Sequence, residues 1–162
     1  MADIFNPDFQ DFIIAFNKAN VDYILVGGYS VILHGYSRTT GDMDIWVNQS
    51  DENYTKITQA FHIFGMPVFD MTREKFLDKN NYDVFRFGRK PSSIELMTAV
   101  KGLNFEEAFA ASTKVEIDDI QIQLIHYDHL IAAKKAAGRP RDWNDIENLE
   151  RQHGSNTDSI DL

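Results

Sequence analysis

The chain has 162 residues, a formal net charge of -9 and no cysteine. Its length and its 43% content of hydrophobic residues suffice for one domain with a hydrophobic core. The lack of cysteine excludes disulfides, thiol nucleophiles and thiolate zinc sites, and the negative charge opposes nucleic-acid binding outside a local basic patch.

The N-terminal region predicts a protein that is neither exported nor held in a membrane. Residues 1–7 lack a basic segment followed by an apolar one, so they do not resemble a signal peptide. No apolar run approaches the roughly 20 residues that span a bilayer. We therefore expect a soluble, cytoplasmic protein.

The first third of the chain predicts a helix, a strand, a short helix and a second strand. Aromatic and apolar residues recur at helical spacing over residues 8–19 (Phe9, Phe12, Ile13 and Phe16). A β-prone strand over 23–26 stops at Gly27-Gly28, where a helix of about two turns begins and ends near Gly35. After a polar loop, residues 42–47 form an acidic strand.

The middle of the chain predicts one long helix and a hairpin. Asp51 is a plausible cap for a helix that ends at Gly65 and whose apolar stripe comprises Tyr54, Ile57, Ala60, Phe61 and Phe64. Residues 68–80 predict a loop with a short helix over 72–77. Strands over 82–87 and 93–97, joined by a turn at 88–91, form an antiparallel hairpin.

The last third predicts a second hairpin and two closing helices. The hairpin strands cover 113–117 and 120–125, and the helices cover 130–137 and 143–149. We expect a single domain over 1–153 and a flexible polar tail over 154–162. The fold class is α+β, with helices packed against a mixed sheet of about five strands.

Asp42 and Asp44 are the strongest candidates for chemistry. If residues 42–47 form a strand, the two carboxylates project to the same side, where they repel each other unless a cation lies between them. Such hard oxygen ligands suit magnesium, which keeps several waters and is completed by substrate phosphates. The alternative is that Asp42 only caps a turn.

The segments before this acidic pair are suited to phosphate binding. Gly27 and Gly28 permit positive φ and the close approach of a phosphate, and the helix that follows points free N–H groups at it. Ser30 could add a hydroxyl, and Arg38 and Thr40 could contact a triphosphate or order the loop. The alternative is an ordinary turn from strand to helix.

These blocks, in this order, resemble the nucleotidyltransferase superfamily with the polymerase-β-like fold. Its pattern is a strand ending in Gly-Gly, a short helix, Asp-x-Asp on the next strand and a later third carboxylate, which resemble Gly27-Gly28, Asp42-Met43-Asp44 and Glu95. The segment 38–42 is similar to the Arg-x-Thr-x-Asp motif of a bacterial subgroup of minimal and abortive-infection toxin-like nucleotidyltransferases. Residues 134–146 are similar to that subgroup's closing Lys and Gly-Arg-x-x-Asp-x-x-Asp signature.

The resemblance implies a site with three carboxylates and two metal ions. Asp42 and Asp44 would bridge both magnesium ions, and Glu95 would complete one of them and help to take a proton from the attacking hydroxyl. Lys134 would contact the phosphates, although an ordinary solvated lysine is the alternative. Glu95 departs from the family, whose third acid is more often Asp.

The implied function is magnesium-dependent transfer of a nucleoside monophosphate from a nucleoside triphosphate (NTP) to a hydroxyl. The acceptor could be a small molecule, a protein or an RNA end. Two alternatives are a catalytically inert toxin–antitoxin or binding module and a nucleotidyltransferase that modifies lincosamide or aminoglycoside antibiotics. The sequence leaves open which NTP is used, the acceptor and the oligomeric state.

Overall fold

The computed structural model of the chain describes residues 5–88 and 93–160, with side chains described as far as residue 154. Seven helices lie in this part of the chain: α1 (Pro7–Lys18), α2 (Gly27–Leu33), α3 (Asp51–Phe64), α4 (Arg73–Leu77), α5 (Phe105–Ala111), α6 (Tyr127–Ala137) and α7 (Pro140–Ile160). Six strands accompany them: β1 (Tyr23–Val26), β2 (Met43–Val47), β3 (Val84–Phe87), β4 (Ile94–Met97), β5 (Thr113–Ile117) and β6 (Ile120–Leu124).

The six strands form one mixed sheet in the order β3-β4-β2-β1-β6-β5. β1 is antiparallel to β2 and parallel to β6, while β2 is parallel to β4. The two predicted hairpins, β3/β4 and β5/β6, supply the opposite ends of the sheet. The α+β class with a mixed sheet is therefore confirmed, and the sheet has six strands because both hairpins join it.

The core is rich in aromatic side chains contributed by α1 and α3. Phe12 of α1 meets Phe61 and Phe64 of α3 edge to face, with ring centroids 5.4 and 5.3 Å apart. The central strands are almost wholly buried, as expected for strands paired on both sides. Burial of these apolar surfaces provides the main driving force for the fold.

Several helix boundaries differ from those predicted. Ser50, not Asp51, caps α3, because its side chain accepts a hydrogen bond from the Asn53 N–H. Helix α5 follows β4 in a segment to which the sequence assigned no element. The predicted turn at 88–91, with Arg89 and Lys90 of a small basic patch, lies mostly outside the described residues.

α7 is longer than predicted at both ends. It begins at Pro140, a residue well suited to the first helical position because it has no N–H to satisfy, and it continues to Ile160. The polar tail expected from residue 154 therefore begins inside a helix. Within the described ranges, no helix combines the length and apolar character needed to cross a membrane.

Asn53 is a buried polar residue that joins three elements. Its Oδ1 accepts the Asp22 N–H at 2.9 Å, and its Nδ2 donates to the carbonyl oxygens of Asp22 and Asn48 at 3.1 and 2.8 Å. The first turn of α3 is thereby held to the start of β1 and the end of β2. This contact fixes the end of the two strands opposite to their glycine and acidic residues.

We expect Asn53→Ala to lower the free energy of unfolding by about 2 kcal/mol or more, because buried backbone groups lose their partner. The half-buried Asn148 is a control, since its Nδ2 donates hydrogen bonds only within its own helix. Urea unfolding followed by circular dichroism measures both variants. Equal losses for Asn53→Ala and Asn148→Ala would contradict the structural role of Asn53.

Candidate active site

The sheet places two of the three predicted carboxylates side by side. Asp44 of β2 lies opposite Val26 of β1 and next to Glu95 of the parallel strand β4. Asp42 directly precedes β2, so it extends the same alternation by one step. Gly27, directly after β1, and Glu95, within β4, thus flank Asp44.

Gly27 and Gly28 allow the turn between β1 and α2 to press against the acidic segment. Gly27 has φ 69°, and a Cβ at this position would lie 2.1 Å from Asp44 Oδ2. A Cβ on Gly28 would lie 2.3 Å from Thr40 Oγ1. Any larger side chain at either position must therefore displace an element of the site.

These residues surround a polar cleft of about 440 Å³. Its walls are the two glycines, the loop Arg38 to Asp42, the carboxylates of Asp44 and Glu95, and four further cations, Arg86, Lys134, Arg139 and Arg141. Of the nine residues predicted from the sequence for the site, all except Ser30 line this cleft.

Ser30 does not reach the cleft. Its side chain is fully buried, and its hydroxyl donates a 2.6 Å hydrogen bond to the carbonyl oxygen of Gly27 within the same helical turn. The expectation that Ser30 adds a hydroxyl for a nucleotide is therefore not supported by its position. Its contact instead helps to fix the backbone of Gly27.

Asp44 lies in an environment that disfavours its charge. Burial, followed by the neighbouring carboxylates of Glu95 and Asp42, raises the pKa of Asp44 to about 7. Its Oδ1 is buried without a hydrogen-bond partner in the described part of the chain. A carboxylate oxygen held this way is suited to a proton or a cation.

The other two acids have partners. Asp42 Oδ1 accepts a hydrogen bond from the Ser93 hydroxyl. Glu95 Oε1 accepts two hydrogen bonds from Arg86, one of them from Nε at 2.9 Å. Arg86 lies directly across the antiparallel β3/β4 pair from Glu95.

The donor atoms at this site fit a hard divalent cation, since all three acids offer carboxylate oxygens and Asp44 Oδ1 has no partner. Their arrangement is not that of a completed ligand set. Across residues 5–88 and 93–160, no group of three or more His, Cys, Asp or Glu side chains is arranged to hold a metal ion. The predicted two-metal site therefore stays a prediction.

Two buried acids on α7 hold three of the cations that line the cleft. Asp145 accepts a bidentate pair of hydrogen bonds from Arg38, from Nε at 2.8 Å and from Nη2 at 2.9 Å. Its Oδ2 also lies 2.9 Å from Lys134 Nζ. Asp142 contacts Lys134 Nζ at 3.3 Å and also accepts from the backbone and side chain of Arg139. Lys134 is thus buried with two carboxylates beside it.

Their spacing in the sequence predicts a structural role for Asp142 and Asp145, as a cap and its third helical residue at the start of the final helix. Asp142 is the third residue of α7 rather than its cap, and its side chain accepts a hydrogen bond from the Arg139 N–H before the helix. Their contacts with Arg38 and Lys134, however, also bring cations to the cleft. The position of Arg86 opposite Glu95 follows from the register of β3 and β4, which the predicted strand bounds do not give.

A smaller apolar pocket of about 150 Å³ adjoins the polar cleft. The two cavities share Gly27, Asp44, Lys134 and Arg139. The remaining walls of the pocket are mostly apolar and include Met97, Val100, Ile125, Leu130 and Ala133. Asp44 therefore lies where a charged cavity and an apolar one meet.

Residues 9–156 match the family described as "Nucleotidyltransferase of unknown function (DUF6036)". Since this match covers most of the 162 residues, the chain belongs to that family of nucleotidyltransferases. The resemblance inferred from the glycine and acidic motifs is thereby confirmed. No curated protein sequence matches the chain significantly.

Solved structures of nucleotidyltransferases share the fold. The lincosamide antibiotic adenylyltransferase LnuA, solved with lincomycin bound, has a TM-score of 0.58 at 17% identity, over 91% of this chain and 97% of LnuA. TM1012 of Thermotoga maritima has a TM-score of 0.59 at 15% identity, over 93% of this chain and 98% of TM1012. The antibiotic-resistance factor ANT(2'')-Ia has a TM-score of 0.59 at 13% identity, over 94% and 86% of the two chains.

Asp44 should make the stability of the metal-free protein depend on pH. Because the pKa of Asp44 is raised from 3.8 to about 7 on folding, its contribution is favourable near pH 4 and is lost as the pH rises towards 7. Asp44→Asn cannot lose a proton, so its melting temperature relative to the native chain should increase between pH 4 and pH 8. Thermal unfolding in EDTA measures this difference, and a difference that stays constant with pH would contradict it.

Lys134 should be important for stability because it neutralises two buried carboxylates. We expect Lys134→Met to lower the free energy of unfolding by about 3–5 kcal/mol, as when one partner of a buried ion pair is removed. Lys135→Met is the matched control, since the neighbouring Lys135 is exposed. Denaturant unfolding of both variants tests this. A loss for Lys134→Met no larger than that for Lys135→Met would contradict the role of Lys134.

Proposed function

We propose that this protein transfers a nucleoside monophosphate from an NTP to a hydroxyl of a small-molecule acceptor, in a magnesium-dependent reaction. The observation that carries the proposal is the position of Asp44. Asp44 has one buried oxygen without a partner, Oδ1, and its carboxylate lies between Glu95 of the neighbouring strand and the Gly27 turn, in the wall of a cleft lined by basic residues. Carboxylates, a glycine turn and cations together are suited to a polyphosphate with its metal.

The triphosphate would lie in the polar cleft. Gly27 and Gly28 line this cleft at the start of α2, and Arg38 and Arg141 offer guanidinium groups. Arg141 is exposed, and no ion pair of the described residues includes it. Lys134 would contribute positive potential from its buried position rather than as a mobile contact.

The acidic residues would hold magnesium and position the reacting groups. Asp42, Asp44 and Glu95 would be its protein ligands, and the bound ions would neutralise charge that develops on the transferring phosphoryl group. The acceptor oxygen forms a bond to the α-phosphorus, the bond from that phosphorus to the β-phosphate breaks, and pyrophosphate leaves. Glu95 accepts the hydroxyl proton.

A small-molecule acceptor is favoured by the shape and charge of the protein. The apolar pocket meets the polar cleft at Asp44, so an acceptor with an apolar part could bind there and place its hydroxyl near the phosphates. The net charge of -9 opposes a long RNA acceptor. LnuA was solved with lincomycin, and ANT(2'')-Ia with adenylyl-2''-tobramycin, so antibiotics are reasonable first candidates.

The proposal predicts that the protein transfers a labelled nucleoside monophosphate from an NTP to an acceptor, and that this transfer requires both a metal ion and Asp44. The protein is incubated with magnesium, each α-³²P-labelled NTP and a set of acceptors: lincomycin, tobramycin, a tRNA pool and a small-molecule extract. We expect one labelled small-molecule product, formed by the native chain and lost with EDTA or in Asp44→Asn. Glu95→Gln should reduce the rate about 10²–10⁴-fold, as for loss of a general base.

Asp70→Asn is the control, since the Asp70 side chain is 89% exposed and lies outside the cleft. It should keep the native rate. Labelling of tRNA alone would reject the small-molecule acceptor and retain the transfer. If neither nucleotide nor metal binds in calorimetry, the protein is an inert member of its family and the proposed reaction is rejected.

A further inference from the structure

The side chain of Arg86 is hydrogen-bonded to Glu95, the carboxylate that accepts the proton in the proposed reaction. Its Nε and Nη2 atoms both donate to Glu95 Oε1, and the Nε contact is 2.9 Å. The two residues are direct cross-strand neighbours, so the backbone register brings them together. Glu95 is only 16% exposed, whereas Arg86 is 54% exposed and lies on the edge strand β3.

Arg86 and a divalent cation would compete for the same carboxylate, that of Glu95. A metal ion bound by Glu95 would bring positive charge next to the guanidinium, so the Arg86 contact must loosen for the ion to bind there. No other cation of the cleft has this contact, since Arg38, Lys134 and Arg139 pair with Asp142 or Asp145. Competition for Glu95 is therefore specific to Arg86 among the described ion pairs.

A triphosphate would remove this competition. Arg86 lines the same cleft as Gly27, Gly28 and Thr40, and its planar guanidinium is well matched to phosphate oxygens. With the nucleotide present, Arg86 can leave Glu95 and pair with a phosphate. The carboxylate of Glu95 can then bind the metal. All four groups then have an opposite charge beside them.

We propose that Arg86 couples metal binding to nucleotide binding by exchanging Glu95 for a phosphate of the NTP. The inference rests on the proposed function, because it requires the cleft to accept both ligands. Arg86 is a positioning residue in this scheme: it acts on the metal through Glu95. By thermodynamic linkage, the nucleotide strengthens metal binding by the same factor as the metal strengthens nucleotide binding.

The test measures the affinity for Mn²⁺ by isothermal titration calorimetry at pH 8, with and without α,β-methylene ATP or α,β-methylene GTP. The native chain should bind Mn²⁺ weakly alone and at least about fivefold more tightly with one nucleotide analogue. Arg86→Gln should bind Mn²⁺ alone at least about fivefold more tightly than the native chain, and its affinity for Mn²⁺ should increase less with the analogue than that of the native chain does. Arg86→Lys retains a charge without the forked contact and should fall between them.

Arg73→Gln is the matched control, because Arg73 also pairs with a single acid, Asp51, outside the cleft, and its loss changes the net charge by the same amount. It should behave as the native chain does. Equal Mn²⁺ affinities for the native chain, Arg86→Gln and Arg73→Gln would overturn the coupling and leave the proposed function intact. Failure of every protein to bind Mn²⁺, even with an analogue, would reject both the coupling and the metal-dependent reaction.

Discussion

The arrangement of the candidate site depends on the repulsion that surrounds Asp44. The sheet register fixes its carboxylate next to Glu95, and Gly27 packs against it so closely that no Cβ would fit between them. A carboxylate in such a place is unfavourable for folding unless it holds a proton or a cation. Proteins retain unfavourable groups of this kind where a ligand needs them, which explains why a stable sheet ends in a destabilising feature.

The cations around Asp44 are organised from a distant part of the chain. Asp142 and Asp145 of α7 are both almost wholly buried, and they hold Arg38 and Lys134 beside the cleft. The two-pronged contact between Asp145 and Arg38 also ties the loop before β2 to the final helix. Because a buried acid without its cation is strongly unfavourable, the loop, α6 and α7 are stabilised as one unit around these charges.

The sequence predicted most elements because their signals are local, whereas the missing features depend on contacts between distant residues. The apolar spacing of α1 and α3 and the alternation in the two hairpins were sufficient for the sheet and its class. The sequence motif does not predict the direction of the Ser30 hydroxyl, because the hydroxyl donates to the Gly27 carbonyl oxygen within one helical turn and a motif does not contain that geometry. The ion pairs of Asp145 were missed because Arg38 lies 107 residues away in sequence.

Glutamate at position 95 is consistent with the exchange inferred for Arg86. Glutamate has one more methylene group than aspartate, so its carboxylate can extend towards the neighbouring strand β3 while its backbone remains paired beside Asp44. A shorter acid at this position would reach less far towards Arg86. In the proposed exchange, the longer side chain would let the carboxylate pair with the Arg86 guanidinium before the substrate binds and with a cation afterwards, while the half-exposed Arg86 side chain would move to the phosphate.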